Sequence, residues 1–119
     1  MKVLVVDDSV TMRRIIINSL KSSGFDDIVE AGDGLEGLAN MDGVELVLTD
    51  WNMPNMDGLT FVKELRKSPV YADIPIIMIT TEGAKTEVVE ALKHGVNNYV
   101  VKPFDKETLL SKVNATIKG

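Results

Sequence analysis

The sequence contains no cysteine, which excludes a disulfide framework and any thiolate-held metal, and points to a cytosolic, redox-insensitive protein. Positive charge is also in deficit. Thirteen Lys and Arg against eighteen Asp and Glu leave a net charge of −5, the wrong sign for a surface that must displace counterions from a phosphate backbone, so no nucleic-acid partner is expected. Aromatics make up only 5% of the residues. Trp51 and Tyr99 read as partly buried packing residues, and nothing basic surrounds them to suggest a stacking platform. The single histidine, His94, suits the last turn of a helix, where its charge complements the helix dipole, better than a ligand role. There is no stretch near 20 apolar residues, and Met1-Lys2-Val3 runs straight into a strand rather than a signal region, so neither membrane insertion nor secretion is expected. Linkers, repeats and low-complexity segments are lacking too. At 119 residues the chain is long enough for one core and too short for two, which predicts a single domain over 1–119.

What is present is alternation. Short apolar runs at Val3 to Val6, Ile28 to Ala31, Leu46 to Thr49, Ile74 to Ile79 and Tyr99 to Val101 read as strands buried on both faces. Between them apolar residues recur at helical spacing. Met12, Ile15, Ile16 and Leu20 follow a helix start at Ser9 and stop at Gly24; Leu35, Leu38 and Met41 form a short face ending at Gly43. Leu59, Val62 and Leu65 follow the loop Asn52 to Gly58, whose Pro, Asn and Gly content forbids regular structure. Val88, Val89 and Leu92 precede Gly95, and Leu109, Leu110, Val113 and Ile117 close the chain. Five strands alternating with five helices through short connections require right-handed crossovers, hence an α/β fold with one doubly wound five-stranded parallel sheet.

In such sheets functional groups gather at the carboxyl ends of the strands. Three of the strands end in charge: Asp7-Asp8, Asp50, and Lys102-Pro103. Taken singly, each has an ordinary structural explanation, such as a helix cap for Asp-Asp, a turn for Asp50 and a loop for Lys102-Pro103. Their joint occurrence at strand ends changes the reading. Two carboxylates about 4 Å apart repel by roughly 4 kcal/mol at an effective dielectric near 20, so Asp7, Asp8 and Asp50 favour a shared divalent cation or a captured proton. Oxygen-only ligands point to Mg²⁺, which keeps several waters and is completed by a phosphate oxygen. Lys102 would then supply a second positive group, and the Thr80 hydroxyl a hydrogen bond, to one phosphoryl group. A carboxylate nucleophile, a metal, an ammonium and a hydroxyl are the parts needed to make and break an aspartyl phosphate.

The blocks VVDDS with TMRRII, LTDWNMPNMDG, MITTEG and NNYVVKPF resemble, in order and across the whole chain, the receiver domains of two-component response regulators, in particular the single-domain CheY-like chemotaxis type. The resemblance implies a flavodoxin-like, CheY-like receiver fold with strand order 2-1-3-4-5 and a cis Lys102-Pro103 bond. It also implies that Asp50 is the phosphoacceptor, fed by a phosphohistidine on a sensor histidine kinase. Asp7 and Asp8 would help hold Mg²⁺, with Asn52 offering its backbone carbonyl; Thr80 would be the switch hydroxyl, Lys102 the phosphoryl contact and Tyr99 the aromatic switch residue. On that resemblance the chain is a signalling phosphoacceptor that assists its own phosphorylation and autodephosphorylation rather than an enzyme. Asn52 and Glu82 flank the site at positions that tune dephosphorylation in the family, whereas Thr81 stands where Ala or Gly is usual, and its bulk would narrow access.

With nothing after the closing helix to serve as a DNA-binding output domain, the output is expected to be docking by a monomer. A face bearing Lys85, Val88, Tyr99 and Lys112 would meet an acidic amphipathic helix of the flagellar motor switch protein and so control motor rotation, and a phosphatase is a further expected partner. Other readings are a phosphate sink or relay intermediate within the same class, and a Mg²⁺-dependent aspartyl-phosphate phosphohydrolase of the haloacid dehalogenase type. The latter resembles a strand ending in Asp-X-Asp within a longer chain. A flavodoxin-like electron carrier is disfavoured because Asp7-Asp8 would repel the flavin phosphate.

Overall fold

A computed structural model describes residues 1–118. The elements alternate as the sequence predicts: β1 (Lys2–Val6), α1 (Val10–Ser22), β2 (Asp27–Ala31), α2 (Gly34–Ala39), β3 (Leu46–Thr49), α3 (Gly58–Lys67), β4 (Ile76–Thr80), α4 (Lys85–Lys93), β5 (Asn98–Val101) and α5 (Lys106–Lys118). All pairings are parallel and the strand order is β2-β1-β3-β4-β5. Successive side chains of a strand point to opposite faces, so each buried strand feeds two cores. Leu4, Val6, Val47, Ile76 and Met78 join Phe61, Val62, Leu65 and Ala91 on the face covered by α2, α3 and α4. Val3, Val5, Leu46, Leu48, Ile77 and Ile79 join Ile16, Ile17, Leu20, Leu109 and Val113 of α1 and α5 on the other. No helix among the described residues is long and apolar enough to cross a membrane.

Helix starts are set by short polar side chains. The Ser9, Asp33 and Asp57 side chains accept the N–H groups of Met12, Glu36 and Thr60 respectively, each satisfying a donor that has no partner within its helix. Ser9, not Asp7 or Asp8, therefore caps α1. His94 is the C-cap of α4, as its sequence position implied.

Several apolar faces are rotated from their predicted setting. In α1, Ile17 is buried while Ile15 is exposed. In α2, Leu35 is exposed, Leu38 is partly buried against the core as expected, and the fully buried positions are Gly34 and Gly37. In α4, Ala91 is the residue driven into the sheet, while Val89 and Leu92 face solvent. Pattern reading weights large apolar side chains, so it passes over glycine and alanine, which are chosen where a helix must approach its neighbour closely. The fourth strand also starts later than Ile74: it runs from Ile76, after Pro75, and extends to Thr80, which pairs with Val101.

Candidate functional site

The order β2-β1-β3 makes the carboxyl ends of β1 and β3 neighbours at a topological switch point, where α/β sheets hold their ligands. The backbone register is tight there, with the Asp50 N–H donating to the Val6 carbonyl at 2.9 Å. One carboxylate oxygen from each of Asp7, Asp8 and Asp50 lies within 4.8 Å of the others. Asp7 and Asp50 are buried and Asp8 is exposed, so the cluster opens to solvent on one side. Three converging carboxylates, backed by a backbone turn and open to water, fit a hard cation of Mg²⁺ type.

The expected mutual repulsion is partly offset from within the chain. The Lys102 ammonium lies 2.7 Å from Asp7 Oδ2 and 3.1 Å from Asp50 Oδ2. Burial would depress its pKa, but the bonds and charges of Asp7 and Asp50 outweigh that effect and raise it. Lys102 thus stays charged throughout the neutral range, and this pairing is lost only as pH rises past its ordinary 10.5 and through the raised value. The bond from Lys102 to Pro103 is cis.

The second carboxylate oxygens of Asp7 and Asp50 are also held. Asp7 Oδ1 accepts the Ser9 N–H at 2.9 Å and Asp50 Oδ1 accepts the Trp51 N–H at 2.7 Å. Arg13, within the TMRRII block but assigned nothing by sequence reasoning, donates from Nη1 to the Asp7 carbonyl at 2.5 Å and from Nε to Glu30 at 3.0 Å. Its signal in the sequence was position alone, one helical turn after the acid pair. Gly58 closes the loop after β3, because a Cβ there would lie 1.8 Å from the Asp50 carbonyl oxygen.

The loop after β4 brings the other expected residues alongside. Thr80 is fully buried at the end of β4, and its hydroxyl receives the Glu82 N–H at 3.4 Å. Glu82 reaches back across the site, accepting the Asn52 side-chain amide at 2.8 Å. Its backbone carbonyl receives the Tyr99 hydroxyl. Glu82 therefore joins Asn52, beside Asp50, to Tyr99 on β5. Thr81 points to solvent. Of the expected docking face, Lys85 is exposed, Lys112 is partly exposed, Val88 packs against the core and Tyr99 is buried. The exposed apolar residues nearby are Leu92, Val89 and Val101, at 46%, 52% and 43% exposure. Trp51 is half-buried against the core, as expected.

Burial raises the Tyr99 pKa to about 12, with the negative charges of Glu82, Glu87 and Asp50 adding to it. The unfolded chain ionises this phenol near its ordinary 10.0, so the contribution to stability is complete below that value and is lost as pH rises to about 12. The fall in melting temperature across that interval is expected to be steeper in the wild type than in Tyr99→Phe. Parallel curves would mean that the phenol is solvated.

Residues 3–114 match the response regulator receiver domain family. The chain belongs to that family and is a chemotaxis-type response regulator that receives phosphoryl groups, a signalling phosphoacceptor. It is 55% identical to a chemotaxis protein CheY homolog of Campylobacter jejuni over 116 residues, covering 95% of this chain and 89% of that protein. It is 52% identical to chemotaxis protein CheY1 of Helicobacter pylori, covering 98% and 97%. Among solved structures, Vibrio cholerae CheY4 superposes with a TM-score of 0.89 at 37% identity, covering 97% of each chain. CheY in the CheX-CheY-BeF3-Mg²⁺ complex of Borrelia burgdorferi gives 0.92 at 30% identity, covering 98% of this chain and 89% of that one. Receiver domains generally bind Mg²⁺ at an acidic pocket, and Asp7, Asp8 and Asp50 form an acidic cluster in this chain.

Proposed function

We propose that residues 1–119 act as one receiver domain in which Asp50 takes a phosphoryl group from the phosphohistidine of a sensor histidine kinase. The observation that carries this reading is the meeting of Asp7, Asp8, Asp50 and Lys102 at the ends of β1, β3 and β5. An Asp50 carboxylate oxygen attacks phosphorus, a P–O bond forms as the P–N bond breaks, and the imidazole of the kinase leaves. Asp7, Asp8, Asp50 and the Asn52 carbonyl would hold Mg²⁺, which neutralises charge on the phosphoryl oxygens when bound. Lys102 follows the new charge from the Asp50 carboxylate to the phosphoryl oxygens, and the Thr80 hydroxyl donates to another of them. The same groups assist hydrolysis of the acyl phosphate, with Asn52 and Glu82 governing the approach of water. A phosphatase partner would act at this opening.

The output follows from charge. A phosphoryl group brings about −1.5 to −2 charge at neutral pH, enough to draw Thr80 and Lys102 and to bias the loop after β4 between two states. Because Tyr99 and Asn52 both bond to Glu82, a shift of that loop moves the surface above Tyr99. Lys85, Val88 and Leu92 recur on one side of α4 at i, i+3 and i+7. With Lys112, and with Val88 and Tyr99 beneath, they make an apolar centre with basic edges, suited to an acidic amphipathic helix of the flagellar motor switch protein. The regulator acts as a cytoplasmic monomer.

Titrating a labelled motor-switch peptide tests this reading. Binding is expected to tighten about tenfold when beryllofluoride and Mg²⁺ are added, a coupling within the usual allosteric range, and to be lost in Leu92→Glu. Leu92 is the better probe than Val88, since its exposure leaves the fold intact. Equal affinities with and without beryllofluoride, or binding indifferent to Leu92→Glu, would remove this face from the mechanism and leave the phosphate-sink reading.

A further inference from the structure

The turn after β2 and the loop after β3 flank the end of β1, and their tips are tied together on the α2–α3 side of the sheet. Asn55 donates its side-chain amide to Asp33 Oδ2 at 2.7 Å, while Asp33 Oδ1 accepts the Glu36 N–H at 2.9 Å. A parallel backbone bond runs from the Gly34 N–H to the Met56 carbonyl at 3.0 Å. A Cβ at position 34 would lie 2.8 Å from that carbonyl oxygen, so only glycine permits the approach. Asn55 sits at φ 65°, a left-handed conformation that asparagine tolerates and most residues do not. Asp33 is buried. None of these features belongs to the acid cluster, and the α1 and α3 caps need no such bridge.

We propose that Asp33 and Asn55 are positioning residues for the metal: their side-chain bond pins the loop after β3 and so holds Asp50 where it can share a cation with Asp7 and Asp8. This rests on the reading of that cluster as the Mg²⁺ site. The link is short. The loop's base is closed by the Gly58 N–H on the Trp51 carbonyl at 2.7 Å, and the Trp51 N–H in turn fixes Asp50 Oδ1 at 2.7 Å. The loop from Trp51 to Asp57 is thus held at its base by Asp50 and at its tip by two bonds, the Asn55 amide on Asp33 and the Gly34 N–H on the Met56 carbonyl. Losing the side-chain bond leaves the tip on the Gly34–Met56 backbone bond alone, which loosens the loop that carries the Trp51 peptide and lets the Asp50 carboxylate shift between its bonds to Trp51 and Lys102. Mg²⁺ demands near-ideal octahedral geometry, so a small rotation weakens binding even though the fold survives. The Glu36 N–H and the Asn55 amide hold the Asp33 carboxyl below its ordinary pKa, so the tie persists across the neutral range.

The test is a Mg²⁺ titration of the full chain, followed by Trp51 fluorescence and by the metal-induced rise in melting temperature. Asn55→Gly keeps the left-handed backbone and removes only the amide. Its Kd for Mg²⁺ is expected to rise about tenfold, as for other groups that orient metal ligands, while its melting temperature in EDTA stays close to that of the wild type. The exchange D33N/N55D reverses donor and acceptor, preserves the helix cap and the net charge, and is expected to restore the affinity. Wild-type affinity in Asn55→Gly, or an exchange variant no better than Asn55→Gly, overturns the proposal. A wild type that shows no response to Mg²⁺ overturns the metal reading itself, and is told apart because the reference protein fails along with the variants.

Discussion

Asp50→Asn is expected to reduce labelling by a small phosphodonor with Mg²⁺ to background. The substitution is nearly isosteric and leaves an oxygen to accept the Trp51 N–H, so the loop after β3 keeps its bond. It removes the anionic nucleophile, and an amide oxygen cannot form a stable phosphoryl ester under these conditions. The neighbouring carboxylates are poor substitutes. Asp7 is buried with one oxygen on the Ser9 N–H and the other on Lys102, and Asp8 is exposed, away from the Lys102 ammonium that would meet the phosphoryl oxygens. Full labelling of Asp50→Asn would assign the acceptor to one of those two, and labelling of the wild type in EDTA would sink the metal-assisted scheme. Both are read from the same gel or mass spectrum.

The second large effect concerns Lys102. Its side chain is 11% exposed, and its ammonium bonds two carboxylates that are themselves nearly buried. Removing one member of a buried ion pair costs about 3–5 kcal/mol, because the remaining charge is left without a partner. Lys102→Met is therefore expected to lose about 3 kcal/mol in EDTA, the lower end of that range, since the site opens to water beside Asp8. Urea unfolding measures this. Mg²⁺ can replace the missing positive charge, so added metal is expected to stabilise the variant more than the wild type. Equal stability of Lys102→Met and wild type in EDTA would show that the acids are hydrogen-bonded well enough to need no cation. A variant destabilised equally with and without Mg²⁺ would mean that the metal does not sit against Asp7 and Asp50.

The alternation of strands and helices was legible because both periodicities are local. Val3 to Val6 and Leu46 to Thr49 can hardly be anything but strands buried on both faces, and their terminal Asp7 and Asp50 mark the end of the sheet where chemistry collects. Apolar pattern misled at Ile15, Leu35, Val89 and Leu92, all of which face solvent. There the inward positions are held by Ile17, Gly34, Gly37 and Ala91, and the last three carry too little side chain to register in a hydropathy pattern. Val88 and Tyr99, expected at the apolar centre of the docking face, lie against the core, in keeping with their reading as a helix-face residue and a packing residue.

The fold class, the acid pair and the lone acid at two strand ends, and the lysine at a third could be read without coordinates, since these depend only on residue type and on order along the chain. Tertiary structure decided what depends on distance between segments. It made β1 and β3 neighbours, so that Asp7 and Asp50 share the Lys102 ammonium and the repulsion expected of bare carboxylates is partly offset. It joined Asn52 to Tyr99 through Glu82, 30 and 17 residues away respectively. It set a partly buried Arg66 at the opposite end of the molecule, where one guanidinium serves the carbonyls of Gly95, Ala72 and Ile74 and the Asn97 side chain. No local pattern encodes such pairings, because a hydrogen bond between distant segments is specified by the packing that brings them together, and that packing is a property of the whole core.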